Sequence, residues 1–380
     1  MPVVMKIPGL AVLGLLAFGC VSGVDRFASG LDGVFAPAFP SDEPGCAVVV
    51  VKSGKIVYDR GFGIADMATG EKISSSTVFN ICSVSKQFSA VAMELLAADG
   101  LLSLDDPVSR LFPEFPAEVF DKVTWRHVLS HTSGIPDARP RTEEDWERYR
   151  AAVGSEFSNV EDYKYHVDEP ENSRYMELLT GLSFEPGTAY EYMNPTYSLV
   201  EKVVERVTGE RFEDWMRQRV FEPAGMIAEY FHPGIACGHL AHGYERDASG
   251  VWQLSEYGNT TFFRTRADGG IYTTPLEFVK WNAALYGDKV MTAAMREEVH
   301  TPRIATDIPD TYYGYGWFIE RRPGQPGKIY HTGDNGGFFI YEGSIPSSDV
   351  FYLIFANRCD WDRYKFASRV DSVLAVSGLL

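Results

Sequence analysis

Several signatures that would identify other protein classes are missing from this 380-residue chain. Its five cysteines, Cys20, Cys46, Cys82, Cys237 and Cys359, are odd in number and scattered, with no CxxC pair and no Cys/His metal spacing. Neither a disulfide framework nor a zinc site is signalled. Basic residues are in the minority, 35 Lys and Arg against 52 Asp and Glu, for a formal charge of −17. Nucleic-acid binding relies on clustered cations to neutralise phosphates, so no nucleic-acid partner is expected. No Gly-x-Ser-x-Gly elbow, P-loop or dinucleotide fingerprint is present, which removes the commonest rival enzyme classes. Internal repeats and low-complexity tracts are also absent.

What is present suits a folded enzyme. Hydrophobic residues make up 45% and charged residues 23%, close to the averages for globular proteins, and Phe and Tyr are plentiful. The length allows one compound α/β unit with a large insertion as readily as two domains. Ile7 to Gly19 form an apolar run behind Lys6. It is too short to span a bilayer and suits a signal-peptide core, so residues 1–22 are read as a leader and export to the periplasm or medium is expected. Leu16-Ala-Phe-Gly-Cys20 also faintly resembles a bacterial lipoprotein processing site, which would attach the chain to a membrane through a lipidated Cys20. An apolar N-terminal helix on a cytoplasmic protein is the alternative.

Cys46 to Lys52 and Lys55 to Tyr58 are β-rich runs around Ser53-Gly54, a hairpin pattern. After Ser83 the period changes: Val84, Phe88, Val91 and Leu95 fall on one helical face, with Gly100 as a stop. This places Ser83 at a helix N-terminus. Residues 104–267 read as a mainly helical insertion, including a helix over 197–207 that ends before Gly209. Asp137 to Tyr175 is rich in charge and aromatics without a sustained period, and reads as a lid or a solvated excursion. Thr274-Pro275-Leu276-Glu277 supplies an N-cap, a Pro at the first helical position and a capping-box Glu for a helix to Leu285. Strands are predicted over 313–320, 328–332, 337–343 and 351–355, then a closing helix over 361–376. Strands at both ends around a helical middle imply an α/β (α+β) fold: an antiparallel sheet flanked by helices, built from about 23–103 and 268–380, with the α-domain inserted.

A serine hydroxyl is a poor nucleophile until a neighbouring base takes its proton, and a helix places residues i and i+3 on one face. Ser83-Val84-Ser85-Lys86 meets that condition. A lysine serves as base only when part of its population is neutral, which burial and nearby cations achieve. The tetrapeptide alone is common on solvated helices, and its company carries the reading: Tyr192-Met193-Asn194 follows at a distance, and His331-Thr332-Gly333 lies in a strand-like stretch near the C-terminus.

Three elements in this order and at these separations resemble the Ser-x-x-Lys, Tyr-x-Asn and Lys-Thr-Gly set of the β-lactamase and penicillin-binding superfamily. Leu129 to Pro136, Asp268 to Tyr272 and Tyr315-Gly-Trp317 also look like segments of its class C-like branch, so the resemblance spans roughly 44–357. It implies a metal-independent serine hydrolase without a cofactor, acting through an acyl-enzyme on a small ester, amide or peptide. Ser83 would be the nucleophile, Lys86 its proton partner and Tyr192 the shuttle to the leaving group. Asn194 would hold Lys86 and the substrate amide, and the backbone N–H groups of Ser83 and Asp334 would form the oxyanion hole. Thr332 and Gly333 would line the substrate strand.

His331 replaces the lysine most common in the third motif, and an unperturbed imidazole is largely neutral at neutral pH. Asp334 adds a negative charge, so the pole for a substrate carboxylate is weakened unless an arginine such as Arg264 or Arg266 supplies it. An esterase or D-amino-acid peptidase is therefore expected ahead of an efficient β-lactamase or D-Ala-D-Ala carboxypeptidase. A penicillin-binding sensor that keeps the fold without turnover is the reading from another class. His127 and His131 are expected to be structural. His232, His239 and His242 sit in a Gly/Pro-marked loop without helical ligand spacing and are read as non-metal, and Cys82 as a packing residue.

Overall fold

The computed structural model describes residues 23–137, 139–166, 169–230, 239–255 and 265–380. The leader with Cys20, and also His232, Cys237 and Arg264, lie outside the described residues. An eight-stranded antiparallel sheet forms the scaffold. In spatial order its strands are Ile304–Ala305, Thr311–Tyr313, Phe318–Glu320, Lys328–Asn335, Phe338–Ile345, Val350–Ala356, Cys46–Lys52 and Lys55–Phe62. The N-terminal hairpin thus closes the sheet made by the C-terminal third, with Cys46 opposite Ala356.

Alternation along Cys46–Lys52 sorts its side chains onto two faces. Cys46, Val48 and Val50 pack with Phe27, Leu31 and Phe35 of the helix Gly23–Phe35 and with Phe366, Val370 and Leu374 of the helix Arg363–Val376. Ala47, Val49 and Val51 join Phe88, Phe278 and Trp281 on the opposite side. A strand covered on both faces is hydrophobic throughout, which is why Ala47 to Val51 carries no polar residue. The helix Lys86–Ala98, which follows Ser83, and the helix Pro275–Tyr286 build that second layer. Thr274 caps the latter as its sequence predicts, accepting from Glu277 N–H at 3.1 Å.

Two differences from the sequence reading bear on the site. The predicted strand 313–320 is two strands, paired through Thr311↔Glu320 and Tyr313↔Phe318. Between them Gly316 has φ +80°, and a Cβ there would stand 2.8 Å from Lys86 O and 2.9 Å from Gln87 Cα. Only glycine lets this turn lie flush on the first turn of the helix Lys86–Ala98. Ser83 sits in a 3₁₀ turn, Cys82–Ser85, and the α-helix begins at Lys86.

The stretch between residues 104 and 267 is mostly short helices, with a small hairpin of Tyr244–Arg246 and Trp252–Leu254. Among its described residues segment 137–175 is not a solvated excursion without structure. It folds into the helices Glu143–Val153, Val160–His166 and Glu169–Met176, and Trp146, Tyr149, Tyr163, Tyr175 and Met176 are buried in the main core. Aromatics spread over three short helices leave no single period to read, although together they bury a face.

Candidate active site

The predicted chemical residues converge on one cleft of about 650 Å³, lined by Ser83, Tyr192, His331, Thr332 and Asp334 among others. The turn presenting Ser83 is held from several sides. Cys82 adopts φ +52°, rare for a residue with a side chain. Its N–H donates to Asn80 Oδ1 at 2.6 Å. Ser85 Oγ, fully buried, accepts from Ile271 N–H at 3.2 Å. On the strand side, a Cβ on Gly333 would lie 2.5 Å from Ile81 O and 2.8 Å from Cys82 Cβ. Gly333 therefore acts by having no side chain, so that its strand can close against the serine turn. Cys82 is buried among these groups, and burial pushes its thiol up, which matches the packing role expected of it.

Lys86 is completely buried, with Nζ donating to the Asp268 carbonyl at 2.7 Å and standing 3.2 Å from Ser83 Oγ. Burial pushes its amine down to about 8, against the opposing pull of Asp268 and Cys82. The expectation that Asn194 holds Lys86 is corrected. The Asp268 main chain takes that place, and Asn194 Oδ1 is buried without a partner among the described residues. Asn194 opens the helix Asn194–Thr208, with Pro195 at its first turn, three residues earlier than its apolar period begins.

Tyr192 lies over Lys86, whose Nζ is 5.0 Å from the ring centre. Burial holds its phenol protonated, above the ordinary range, more than the Ser83 hydroxyl beside it offsets. Among the described residues its oxygen meets no partner in full hydrogen-bond geometry, the Ser83 hydroxyl being the group beside it. The loop carrying Tyr192 is laced to the Leu129–Pro136 segment: Glu191 N–H donates to His131 O at 3.0 Å, and Gly187 N–H to Thr132 O at 2.8 Å. Met193 N–H donates to His131 Nδ1 at 3.0 Å. His131, expected to be structural, thus anchors the Tyr-x-Asn loop. His127 caps a helix, its Nδ1 accepting from Thr124 N–H at 3.1 Å.

His331 is buried, with Nδ1 2.7 Å from Thr332 O and Nε2 3.0 Å from the Tyr313 hydroxyl. A carbonyl can only accept, so Nδ1 carries the proton and Nε2 accepts from Tyr313. Burial, reinforced by Lys86, pushes the imidazole down to about 3, so it is neutral. Asp334 is paired: Arg363, at the start of the C-terminal helix, reaches its Oδ2 at 3.3 Å and donates to Gly333 O at 2.6 Å. Arg363 lines the cleft. It is the cation for which the sequence reading looked to Arg264 or Arg266. Arg266 is instead bound to Glu201 and to Glu213. Arg363 lies 280 positions from Ser83 in no motif, and only the fold brings the two together.

Among the described residues no helix is long and apolar enough to cross a membrane, and no group of His, Cys, Asp and Glu could hold a metal ion. His239 pairs with Glu71 at 2.6 Å at the surface.

An eight-stranded antiparallel sheet under a helical layer, with Ser-x-x-Lys, Tyr-x-Asn and His-Thr-Gly meeting in one cleft, is the architecture of the serine β-lactamase and penicillin-binding class. The chain belongs to the Beta-lactamase family, whose model matches residues 36–374. It is 28% identical over 303 residues to penicillin-binding protein 4* of Bacillus subtilis, covering 77% of this chain and 63% of that one. It is 24% identical to the D-alanyl-D-alanine-carboxypeptidase/endopeptidase AmpH of Escherichia coli, over 90% of this chain and 85% of the relative. The octameric penicillin-binding protein homologue from Pyrococcus abyssi shares the fold with a TM-score of 0.76 at 24% identity, over 94% of this chain and 78% of that one.

Proposed function

We propose that the protein is a serine hydrolase that forms an acyl-enzyme on Ser83 and cleaves small esters, amides or peptides. The observation that carries this reading is the buried Lys86 amine at 3.2 Å from Ser83 Oγ, with its basicity lowered to about 8. At neutral pH part of this lysine is neutral and can take the serine proton as Oγ attacks the acyl carbon. Tyr192, held protonated above the same nitrogen, delivers a proton to the leaving group and is recharged from Lys86. The backbone N–H groups of Ser83 and Asp334 face the developing oxyanion, and each such donor contributes about 3 kcal/mol. Asn194 and the strand around Thr332 orient the acyl group. No step requires a metal or cofactor.

Arg363 favours a second reading within the same chemistry. A fixed guanidinium in the cleft suits a substrate that ends in a carboxylate, as in a carboxypeptidase or β-lactamase, whereas neutral His331 and Asp334 favour an uncharged ester or a D-amino-acid amide. Labelling with a fluorophosphonate, followed by a panel of p-nitrophenyl esters, nitrocefin and D-Ala-D-Ala peptides, tests both. Labelling without turnover of any of them would point to a penicillin-binding sensor instead. Export and a lipid anchor on Cys20 remain part of the proposal, tested by fractionating cells and by mass analysis of the mature N-terminus.

A further inference from the structure

Beside Ser83 and adjoining the main cleft lies a second chamber of about 50 Å³. Asn194, Thr265, Asp268, Gly269 and Asn335 bound it together with the serine. Three buried acceptors on these residues have no partner among the described residues: Asn194 Oδ1, Asp268 Oδ1 and Asn335 Oδ1. A buried acceptor left unpartnered loses the hydrogen bonds it made to water, so three on one small chamber suit a shared donor. The space exceeds the roughly 15 Å³ that one water needs, and its polar lining meets the requirement for two to four partners. Asp268 is only 8% exposed. Its carboxyl takes a hydrogen bond from Thr265, while its main-chain carbonyl holds Lys86.

We propose that this chamber binds the water that hydrolyses the acyl-enzyme, with the Asp268 carboxylate as its general base and Asn194 and Asn335 orienting it. The inference rests on the acyl-enzyme reading above. As the water oxygen forms its bond to the acyl carbon, one of its protons passes to Asp268. When the tetrahedral intermediate collapses, the bond to Ser83 Oγ breaks, and the proton on Asp268 is relayed through the Lys86 amine to Oγ. The products are the free serine and a carboxylic acid that keeps the second proton of the water. Burial raises the Asp268 carboxyl, which makes its ionised form a stronger base, while nearby Lys86 opposes that rise.

The test is Asp268→Asn, followed with p-nitrophenyl acetate by stopped flow and by intact-mass analysis. The variant should still release a first equivalent of p-nitrophenol as a burst, then deacylate about 10²-fold more slowly, so that acetylated Ser83 accumulates. Asn335→Ala should slow deacylation about tenfold, and it carries the test alone should Asp268→Asn fail to fold. Equal loss of the burst and of steady-state turnover, or unchanged deacylation, would overturn the proposal. So would a raised KM confined to amino-bearing esters without acyl-enzyme build-up, since the chamber would then receive a substrate ammonium. Absence of any covalent acetyl adduct in the wild type would instead sink the acyl-enzyme reading itself, so the two failures are distinguishable.

Discussion

The His131 imidazole lies against the Tyr192 phenol, ring centres 4.2 Å apart with planes inclined by 38°, while its Nδ1 accepts from the amide of the next residue, Met193. His131 also has φ +57°, a backbone state that Asn adopts more readily than most residues. His131→Phe keeps a ring and strands the buried Met193 N–H, a loss of about 1–3 kcal/mol. We expect kcat to fall about tenfold or more with KM little changed, and His131→Asn, which tolerates the backbone and restores an acceptor, to recover most of it. Steady-state kinetics on one neutral ester checks this. Equal effects of both variants would show packing alone at work.

Ser83→Ala should abolish covalent labelling and lower turnover by about 10⁴-fold or more, with an unchanged melting temperature. Residual activity above a few per cent would remove Ser83 from the nucleophile role.

The Lys86 amine, pushed down to about 8 by burial, sets an ascending limb in acylation. A base must be neutral, so kcat/KM should rise as pH increases through about 8 and level off above it. Measurement of kcat/KM from pH 6 to 10 decides the matter. A flat profile across that limb would exclude Lys86 as the base.

Glu342, buried opposite His331 and bonded to Gln87, has its carboxyl raised by burial to about 8. The folded state therefore holds a proton that the unfolded chain releases near the ordinary carboxylate value. This contribution to stability is complete below about 4.5 and is lost as pH rises through about 8, at no more than about 1.4 kcal/mol per pH unit. Glu342→Gln, which cannot ionise, should melt increasingly above the wild type as pH goes from 5 to 9. Parallel melting curves across that range would refute it.

Arg363→Gln should lower kcat/KM about tenfold for carboxylate-bearing substrates and leave neutral esters nearly unaffected, because the guanidinium is a cation in the cleft. Comparable losses on both would indicate that Arg363 only props up the Gly333 strand.

The site residues with sequence motifs, Ser83, Lys86, Tyr192 and His331, were legible because their chemistry depends on residue type at fixed spacing. The antiparallel sheet was legible from β-rich runs and turn residues, and the helix from Pro275 from its cap. Other features depend on approach rather than type. Gly316 divides a run that reads as one strand because it meets the Lys86 backbone, a contact 230 positions away in the chain. Arg363 and Asp268 are ordinary charged residues until the fold carries them to Ser83. His131 was read as structural, yet its ring and Nδ1 bear on Tyr192 through space.

The pairing of the first strand with the last bears on synthesis. Gly45 and Asn357, joined by a 2.8 Å hydrogen bond, are 312 positions apart. During translation the apolar run Ala47 to Val51 emerges well before Val350–Ala356, its neighbour in the sheet, and waits until those residues are made. Until then it is an unpaired hydrophobic strand edge, the kind of segment that recruits other chains. A ribosome stalled before residue 350 would release a product with the serine turn intact in sequence and an aggregation-prone edge beneath it.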